Sequence, residues 1–504
     1  MKQDKKRALA TILCMVGTTF ASQAQEEAVY PIAEYDRAST IIMHEPNNEL
    51  FVGTMHPAAA LFMDYFDADE AAKEHLAYQE ILREEGANVV TVREILLRDC
   101  VDEEGNMKEG DALDDLRDLA SKYLVYTCDS TLDAAEQEAY RQEMLKKFHP
   151  NDLVDIILQQ PEIQLRATSI NTNMEATYLL HPVMNLFFMR DQVITTSKGI
   201  VIGKMNSSQR DAESDIVEFC YRKLGEEPIY RIQGDSAFLE GGDYLPFGSL
   251  SFMGQGLRTS QAAIDQLLEN DLIGKDTLVV VRDAWKSQDQ MHLDTYFNII
   301  DKDLVTLCAN RVNAEQGDID FLTIDIYAKD GNGRYQKTQS GIPFVDFLTQ
   351  RGIEIIPIEQ EDELNYANNF LTIGARKIVM VAGQSLALQE DLRSHGVDVI
   401  WARLENLTRG YGAAHCMTQV IRRTPVDDPG TSMAAISDHS SQITGGKGEI
   451  LIVSEQPCEV GIFTVDGKQI TNLRSVTSTR YPISAGIYIV KTTVDSQGTK
   501  VLVK

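Results

Sequence analysis

Along most of the chain, short apolar runs typical of strands are followed by stretches in which apolar residues recur with the spacing of a helix. This alternation predicts strands separated by helices. Residues 38–44 and 87–92 are short apolar runs of the length expected for buried strands. Between them, residues 67–85 have the spacing of an amphipathic helix, and Gly86 is placed to end it. Repeated strand–helix units of this kind predict one large α/β domain.

The same alternation continues towards residue 401, with one interruption. From residue 93 to about residue 160 the spacing is mainly helical, which predicts a helical insertion that includes helices at 134–148 and 152–159. Beyond it, a further helix is predicted at 260–269, and further strands are predicted at 200–202, 277–281, 353–358, 377–381 and 397–401. The α/β domain therefore spans about residues 29–426.

The pattern changes after Arg423. Residues 427–448 are rich in Pro, Gly, Ser, Thr and Asp, a composition typical of a linker. Residues 449–504 contain short alternating strands at 449–453, 460–465 and 486–493, with an Asp466-Gly467 turn. We predict a small C-terminal β-sandwich.

The first residues have the pattern of a signal peptide. Residues 1–7 are basic, 8–20 are mostly apolar and small, and 21–24 supply the small residues that a signal peptidase reads. The apolar run is too short to span a bilayer permanently. We therefore expect residues 1–24 to be removed and the protein to be exported.

Charge narrows the class of ligand. Asp and Glu number 76 against 47 Lys and Arg, which gives a net charge of -29. Such a surface repels nucleic acid and attracts cations, so a nucleic-acid partner is excluded and a cationic substrate is favoured.

Cysteines are scattered, and most have the environment of core residues. Cys220, for example, shares one face of a predicted helix with Ile216, Phe219 and Leu224. Cys416 differs, because it ends a loop of small residues at 410–416 and follows no apolar stripe. It is the candidate nucleophile.

Acidic clusters upstream of Cys416 suit chemistry on a guanidinium. Because this group is planar and cationic, carboxylates must accept hydrogen bonds from its nitrogens while a readily ionised nucleophile attacks its carbon. Asp191 and Asp294 are the candidates to bind the guanidinium nitrogens. His292 is the candidate to protonate departing ammonia and then activate water. Glu240 is placed to hold the substrate or to keep His292 protonated.

The order and spacing of these segments resemble those of the arginine deiminases, members of the guanidine-modifying superfamily. Residues 185–191, Asn-Leu-Phe-Phe-Met-Arg-Asp, are similar to an Asn-x-x-Phe-Thr-Arg-Asp segment of that family. Further matches follow in the family's order at 240–243 (Glu-Gly-Gly-Asp), 256–260 (Gly-Leu-Arg-Thr-Ser), 292–297 (His-Leu-Asp-Thr-Tyr-Phe) and 415–418 (His-Cys-Met-Thr). The resemblance extends from about residue 29 to residue 426 and includes the helical insertion.

The resemblance implies a five-bladed α/β propeller that hydrolyses L-arginine to L-citrulline and ammonia through a cysteine-linked intermediate. No metal or organic cofactor is expected, since the histidines are scattered without ligand spacing. The catalytic set that the resemblance carries over is Cys416, His292, Glu240, Asp191 and Asp294. The substrate-binding set is Asn185, Arg210 and Arg258 for the α-carboxylate, with the Gly410 carbonyl for the α-amino group.

Other functions stay open. His-Cys-Met-Thr-Gln at 415–419 also resembles the agmatine deiminases, and Tyr411 stands where arginine deiminases usually have Arg or Met. Ala413 and Ala414 replace further glycine in the same loop. The alternatives are an agmatine or peptidyl-arginine deiminase, or an inactive surface binding protein on the same fold.

The tail has its own resemblance, to the C-terminal sorting domain of type IX secretion substrates. Residues 462–468, 486–491 and 498–504 carry it. It implies that outer-membrane secretion machinery is a partner and that the protein is secreted or anchored at the cell surface. An accessory β-sandwich used for binding is the alternative, and a homo-oligomer is a further possibility.

Overall fold

Two units carry the described residues of the computed structural model, which are 29–425, 441–445, 448–464, 468–492 and 499–503. The boundary between the units lies between residues 426 and 427. The predicted signal peptide, residues 1–24, lies outside the described residues, and so does most of the predicted linker.

Strands of the first unit are short, and each strand predicted for it from the sequence overlaps one of them. In chain order they are β1 (Arg37–Met43), β2 (Asn88–Thr91), β3 (Val125–Cys128), β4 (Pro161–Ala167), β5 (Met174–Leu180), β6 (Val193–Thr196), β7 (Gly199–Ile202), β8 (Tyr230–Arg231), β9 (Tyr244–Phe247), β10 (Leu250–Gln255), β11 (Thr277–Arg282), β12 (Phe297–Asp301), β13 (Leu304–Cys308), β14 (Thr323–Lys329), β15 (Tyr335–Pro343), β16 (Glu354–Ile358), β17 (Leu371–Gly374), β18 (Lys377–Val381), β19 (Asp398–Ala402) and β20 (Gln419–Thr424).

Helices of the first unit lie between these strands. They are α1 (Asn48–Thr54), α2 (Ala68–Glu84), α3 (Val92–Leu97), α4 (Asp111–Tyr123), α5 (Ala134–Lys147), α6 (Pro150–Gln159), α7 (Asp211–Lys223), α8 (Gln261–Glu269), α9 (Leu293–Tyr296), α10 (Ala309–Asn313), α11 (Phe344–Gln350), α12 (Gln360–Glu363) and α13 (Leu386–Ser394). Among the described residues, none of the helices has the length and apolar character needed to cross a membrane.

Five sheets of the first unit repeat one pairing plan within residues 29–425. In each, a central strand pairs antiparallel with one neighbour and parallel with another, and the central strands are β1, β7, β10, β13 and β18. Parallel neighbours need a crossover, and helices lie between the two strands of each parallel pair. In the sheet of β1, the antiparallel neighbour is β20, with Ile41 opposite Val420. The start and the end of this unit are thereby joined in one sheet.

The insertion contains more than the predicted helices. Helices α3 to α6 occupy it, but β3 lies among them and pairs with the hairpin of β4 and β5, which extends the inserted block to Leu180. The hairpin is difficult to predict because β5 has no buried face; Tyr178, at 68% exposure, lies in its middle. Hydrophobic alternation is informative only where one face of a strand is buried.

Buried apolar side chains fill the spaces between the sheets and the helices. The prediction that Cys220 is a core residue is confirmed, since it is fully buried on α7. Every cysteine among residues 29–425, namely Cys100, Cys128, Cys220, Cys308 and Cys416, is free.

The second unit is a sheet of β21 (Ser441–Gly445), β22 (Glu449–Thr464), β23 (Gln469–Pro482), β24 (Gly486–Thr492) and β25 (Thr499–Val503). The two short strands predicted at 449–453 and 460–465 are one long strand, β22, whose register shifts between them. In the described part of this unit, the strands hydrogen-bond in the order β21–β22–β24–β25, with β23 also paired to β22. The predicted β-sandwich stays a prediction. The predicted Asp466-Gly467 turn lies outside the described residues.

Candidate active site

A cleft of about 300 Å³ collects most of the residues that the sequence singled out. It is lined by Leu61, Asn185, Phe188, Asp191, Arg210, Arg258, Gln288, Met291, His292, Gly410, Tyr411 and Cys416. Seven of the nine predicted site residues are in this lining, and the other two, Glu240 and Asp294, contact His292 and Cys416 from behind.

Connections between strands of different sheets supply these side chains. Asp191 lies two residues before β6, Glu240 precedes β9, Arg258 lies between β10 and α8, and Cys416 precedes β20. His292 is the residue before the short helix α9. The site therefore forms only when the separate sheets are assembled.

Glycines in the Glu-Gly-Gly-Asp segment, residues 240–243, allow it to pack closely against Arg190 and His292. A Cβ at Gly241 would lie 2.0 Å from the carbonyl oxygen of Arg190, and one at Gly242 would lie 2.8 Å from the ring of His292. Both distances are shorter than real Cβ contacts, so a side chain at Gly241 would displace the backbone at Arg190 and one at Gly242 would displace the His292 ring.

Cys416 is buried between carboxylates. Its Sγ lies 3.6 Å from Oδ2 of Asp294 and accepts a hydrogen bond from Asn369 Nδ2 at 3.1 Å. Burial, together with the charges of Asp294 and Asp191, raises the pKa of the thiol well above its ordinary value. A cation bound between these carboxylates would offset that effect.

His292 and Glu240 form a buried ion pair. The imidazole Nε2 lies 2.9 Å from Oε2 of Glu240, and Nδ1 lies 3.8 Å from Oδ1 of Asp191. Burial lowers the pKa of His292, but the two carboxylates outweigh it and raise the pKa to about 9. Burial likewise opposes ionisation of Glu240, yet His292 and Arg258 hold the pKa of this carboxyl at about 2. At neutral pH the pair is an imidazolium and a carboxylate, so His292 has a proton to donate.

The two carboxylates predicted to bind the guanidinium, Asp191 and Asp294, lie beside the sulfur. Asp191 accepts a hydrogen bond from Arg210 Nη1 through Oδ2 at 2.8 Å, while its buried Oδ1 has no hydrogen-bond partner within the described residues. Burial raises the pKa of Asp191, although the Arg210 charge opposes this. Asp294 is held by His415, whose Nδ1 lies 2.6 Å from Oδ2.

Arg210 and Arg258 differ in the partners that they already have. Arg210 donates to Glu213 through Nε at 3.0 Å and Nη2 at 2.8 Å, besides its bond to Asp191. Arg258 lies 3.5 Å from Glu240, donates to Gln288 at 3.2 Å, and has a buried Nε without a hydrogen-bond partner among the described residues. Arg258 therefore has a donor ready for the α-carboxylate of a substrate. Arg210 would first have to give up a hydrogen bond to Glu213 or Asp191.

Asn185 and Gly410 both line the cleft. Asn185 donates through Nδ2 to the carbonyl of Ala60 at 2.9 Å, which leaves its Oδ1 for another donor. Gly410 packs against Phe188, whose ring would lie 2.8 Å from a Cβ at this position. Tyr411 follows with a left-handed φ of 70°.

Four residues of the site were not identified from the sequence, namely Glu213, Gln288, Asn369 and His415. Glu213 holds Arg210, Gln288 holds Arg258, and His415 holds Asp294. Two signals were available: His415 stands in the matched segment 415–418, and Asn368 and Asn369 are adjacent amides just before β17, which is unusual beside a buried strand.

A metal ion would find three ligand atoms here. Suitable atoms of Asp191, His292 and Cys416 lie within 4.8 Å of one another, and all three residues are buried. Nitrogen, sulfur and oxygen donors in such a set suit zinc. The same three atoms are those that the predicted cysteine chemistry would use.

Comparison with known proteins gives the family. The family model described as "Arginine deiminase" matches residues 59–423. The arginine deiminase of Halobacterium salinarum is 26% identical over 493 residues, covering 79% of this chain and 97% of its own. That of Staphylococcus haemolyticus is 25% identical over 416 residues, covering 78% of this chain and 98% of its own. A solved DDAH mutant from Pseudomonas aeruginosa, complexed with citrulline, aligns with a TM-score of 0.44 at 15% identity over 77% of this chain and 99% of that one. Because the family model spans well over half of its length, the chain belongs to the arginine deiminase family.

Proposed function

We propose that this protein is an arginine deiminase that converts L-arginine and water to L-citrulline and ammonia. The observation that carries the proposal is the placement of Cys416 Sγ beside Asp294, with Asp191 and the His292–Glu240 ion pair also facing the sulfur. This arrangement can hold a planar cation and attack its central carbon.

Substrate binding itself favours ionisation of the thiol. Burial and the nearby carboxylates raise the pKa of Cys416, so the thiolate is disfavoured in the free site. A guanidinium bound between Asp191 and Asp294 adds a positive charge beside the sulfur and lowers that pKa. The nucleophile is then formed where the cationic substrate is bound.

The reaction follows in two halves. The thiolate forms a bond to the guanidinium carbon, and the imidazolium of His292 donates its proton as the carbon–nitrogen bond breaks and ammonia leaves. The neutral His292 then takes a proton from water, whose oxygen attacks the same carbon. Collapse of this adduct breaks the carbon–sulfur bond and releases citrulline, while the hydroxyl proton passes to the sulfur and replaces the proton that the thiol lost to solvent when the substrate bound.

The other end of L-arginine needs a partner for its α-carboxylate. Arg258 has a buried donor that is not used within the described residues, and it lies on the cleft wall beside Gln288. Asn185 and the Gly410 carbonyl line the same cleft and serve the carboxylate and the α-amino group respectively.

Agmatine is the second candidate substrate, and one observation favours it. Arg210 is already bonded to Glu213 and Asp191, so only Arg258 has an unused donor for a carboxylate. Agmatine has no carboxylate and requires neither arginine. Peptidyl-arginine remains a third possibility.

A comparison of substrates tests the proposal. Ureido product and ammonia are measured for arginine, agmatine and an arginyl peptide, and arginine is expected to have the highest kcat/KM. Cys416→Ser should lower turnover of arginine at least about 1,000-fold, since a serine hydroxyl does not ionise near neutral pH. Cys220→Ser, which changes a core cysteine, is the control and should keep its kcat. Release of ammonia from none of the three would instead support an inactive binding protein.

We further propose that the five repeated sheets are the blades of an α/β propeller around the cleft. The shared pairing plan of their central strands supports this arrangement, as does the pairing of β1 with β20. An experimental structure in which the five sheets do not surround Cys416 would contradict it.

Export is also a proposal. Residues 1–24 would direct the chain out of the cytoplasm, and residues 449–504 would then present it to outer-membrane secretion machinery. Deletion of residues 449–504 should leave active protein in the periplasm instead of at the cell surface or in the medium. Unchanged surface delivery of the shortened chain would contradict the sorting role.

A further inference from the structure

Asn369 holds the loop that carries the nucleophile. It lies just before β17 and is fully buried. Its side-chain Oδ1 accepts hydrogen bonds from the backbone N–H groups of Ala413 at 2.8 Å and Cys416 at 3.1 Å. Its backbone carbonyl accepts another from His415 at 3.0 Å. One residue therefore fixes the loop backbone at residues 413, 415 and 416, up to the catalytic cysteine itself.

These bonds determine which way the Asn369 amide points. Because Oδ1 faces two N–H donors, Nδ2 has to face the opposite side, where it donates to Cys416 Sγ at 3.1 Å and to the carbonyl of Asp294 at 3.2 Å. The two oxygens of the Asp294 carboxylate, at 3.6 and 3.9 Å from the sulfur, are acceptors when ionised and cannot stabilise a negative sulfur. Asn369 can.

We propose that Asn369 is a further catalytic residue, which donates a hydrogen bond to the Cys416 thiolate and thereby stabilises the nucleophile. The inference rests on the proposed function and extends it to a residue outside the predicted catalytic set. A neutral amide suits this site for a physical reason. A lysine or arginine beside the sulfur would stabilise the thiolate more strongly, but it would repel the guanidinium of the substrate.

The chain contains a matched control for a substitution at this position. The neighbouring Asn368 is also fully buried, and its Nδ2 donates to the sulfur of Cys308 at the same distance, 3.1 Å. Cys308 does not line the cleft. Asn369→Asp and Asn368→Asp therefore make the same chemical change beside two buried sulfurs, of which only one is the proposed nucleophile.

Alkylation of Cys416 by iodoacetamide, followed by mass spectrometry across a pH series, reports thiolate formation without substrate. In Asn369→Asp, which keeps an acceptor for the loop but replaces the donor with an anion, the pH midpoint of alkylation should rise by about one unit or more. The kcat for arginine should fall about 10- to 150-fold, the loss expected for a hydrogen bond to a charged group, with KM changed less than about threefold. Asn368→Asp should leave both readouts at the Cys416 site unchanged.

A purely structural role would lower the melting temperature of Asn369→Asp and leave the alkylation midpoint in place, and that result would overturn the proposal. Equal shifts in the two Asp variants would overturn it as well. Should Asn369→Asp fail to fold by circular dichroism, Asn369→Ser, which removes the amide donor without adding an anion, takes its place, and its midpoint should rise by a smaller amount. A wild-type protein that releases no citrulline would refute the proposed function, while the alkylation midpoints would still decide the role of Asn369.

Discussion

At the scale of single residues, the site is a set of buried charges whose protonation depends on their neighbours. His292 keeps its proton because Asp191 and Glu240 raise its pKa, and Cys416 keeps its own because burial and the charges of Asp294 and Asp191 raise the pKa of the thiol. Both groups are therefore protonated in the free site at neutral pH. A bound cationic substrate lowers the pKa of the thiol without taking the proton from the histidine. Cys416 can then lose its proton while His292 retains one.

The raised pKa of His292 makes stability depend on pH. The group titrates near 6.5 when unfolded and near 9 in the fold, so it stabilises the fold fully below pH 6.5 and loses that contribution as pH rises through about 9. The difference corresponds to about 3 kcal/mol. Urea unfolding between pH 6 and pH 10 should show the wild type losing more stability with rising pH than His292→Gln. Parallel pH dependences of the two proteins would show that the histidine is not shifted upwards.

The two arginines of the cleft should respond differently to truncation. Arg258→Ala should lower kcat/KM for arginine about 10- to 150-fold and leave agmatine near its wild-type value, because only arginine loses a charge-assisted contact. Arg210→Ala should also destabilise the fold, since removing one partner of a buried ion pair costs about 3–5 kcal/mol and here takes the arginine away from both Glu213 and Asp191. Steady-state kinetics with both substrates and urea unfolding measure these effects. Wild-type preference for arginine in both variants would refute the carboxylate-binding assignment.

At the scale of elements, local signals in the sequence determine where helices begin and end. The start of α2 is an example: the Asp67 side chain accepts hydrogen bonds from the backbone N–H groups of Asp69 and Glu70 at 2.9 and 3.0 Å. At its other end, Gly86 takes a left-handed φ of 88°, which a glycine adopts without strain.

Loss of this cap should weaken the fold without changing the chemistry. Asp67→Ala should lower the free energy of unfolding by about 1 kcal/mol, because two N–H groups of the first turn lose their acceptor. Asp69→Ala, in the same exposed turn but without a capping role, is the control and should cost only a few tenths of that amount. Denaturant unfolding and arginine turnover measure both properties. A loss of kcat in Asp67→Ala would show that α2 also positions the site.

At the scale of the whole molecule, the described residues divide between a unit that ends at residue 426 and a second unit after it. All of the residues placed in the site belong to the first unit. The chemistry should therefore not require the second.

A chain of residues 25–426 should fold and keep kcat/KM within about twofold of the full chain, as expected for an independently folding domain. Circular dichroism and citrulline release provide the measurements. A folded but inactive shortened chain would show that the C-terminal unit contributes to the site, and would weaken the proposal that it serves sorting.

The sequence alone determined the α/β alternation, the position of most strands, the helix from Asp67 onwards and the exceptional character of Cys416. These depend on neighbouring residues, through hydrophobic spacing, capping side chains and glycines. It did not reveal the β4–β5 hairpin, whose side chains are too exposed to alternate in burial, or the continuity of β22 through its register shift. Tertiary structure alone decided that Arg210 bonds to Asp191, that Arg258 lies beside Gln288 with an Nε unused among the described residues, and that Asn369 reaches the sulfur. The physical reason is that these contacts join segments 19, 30 and 47 residues apart, and a single sequence carries no record of which segments meet.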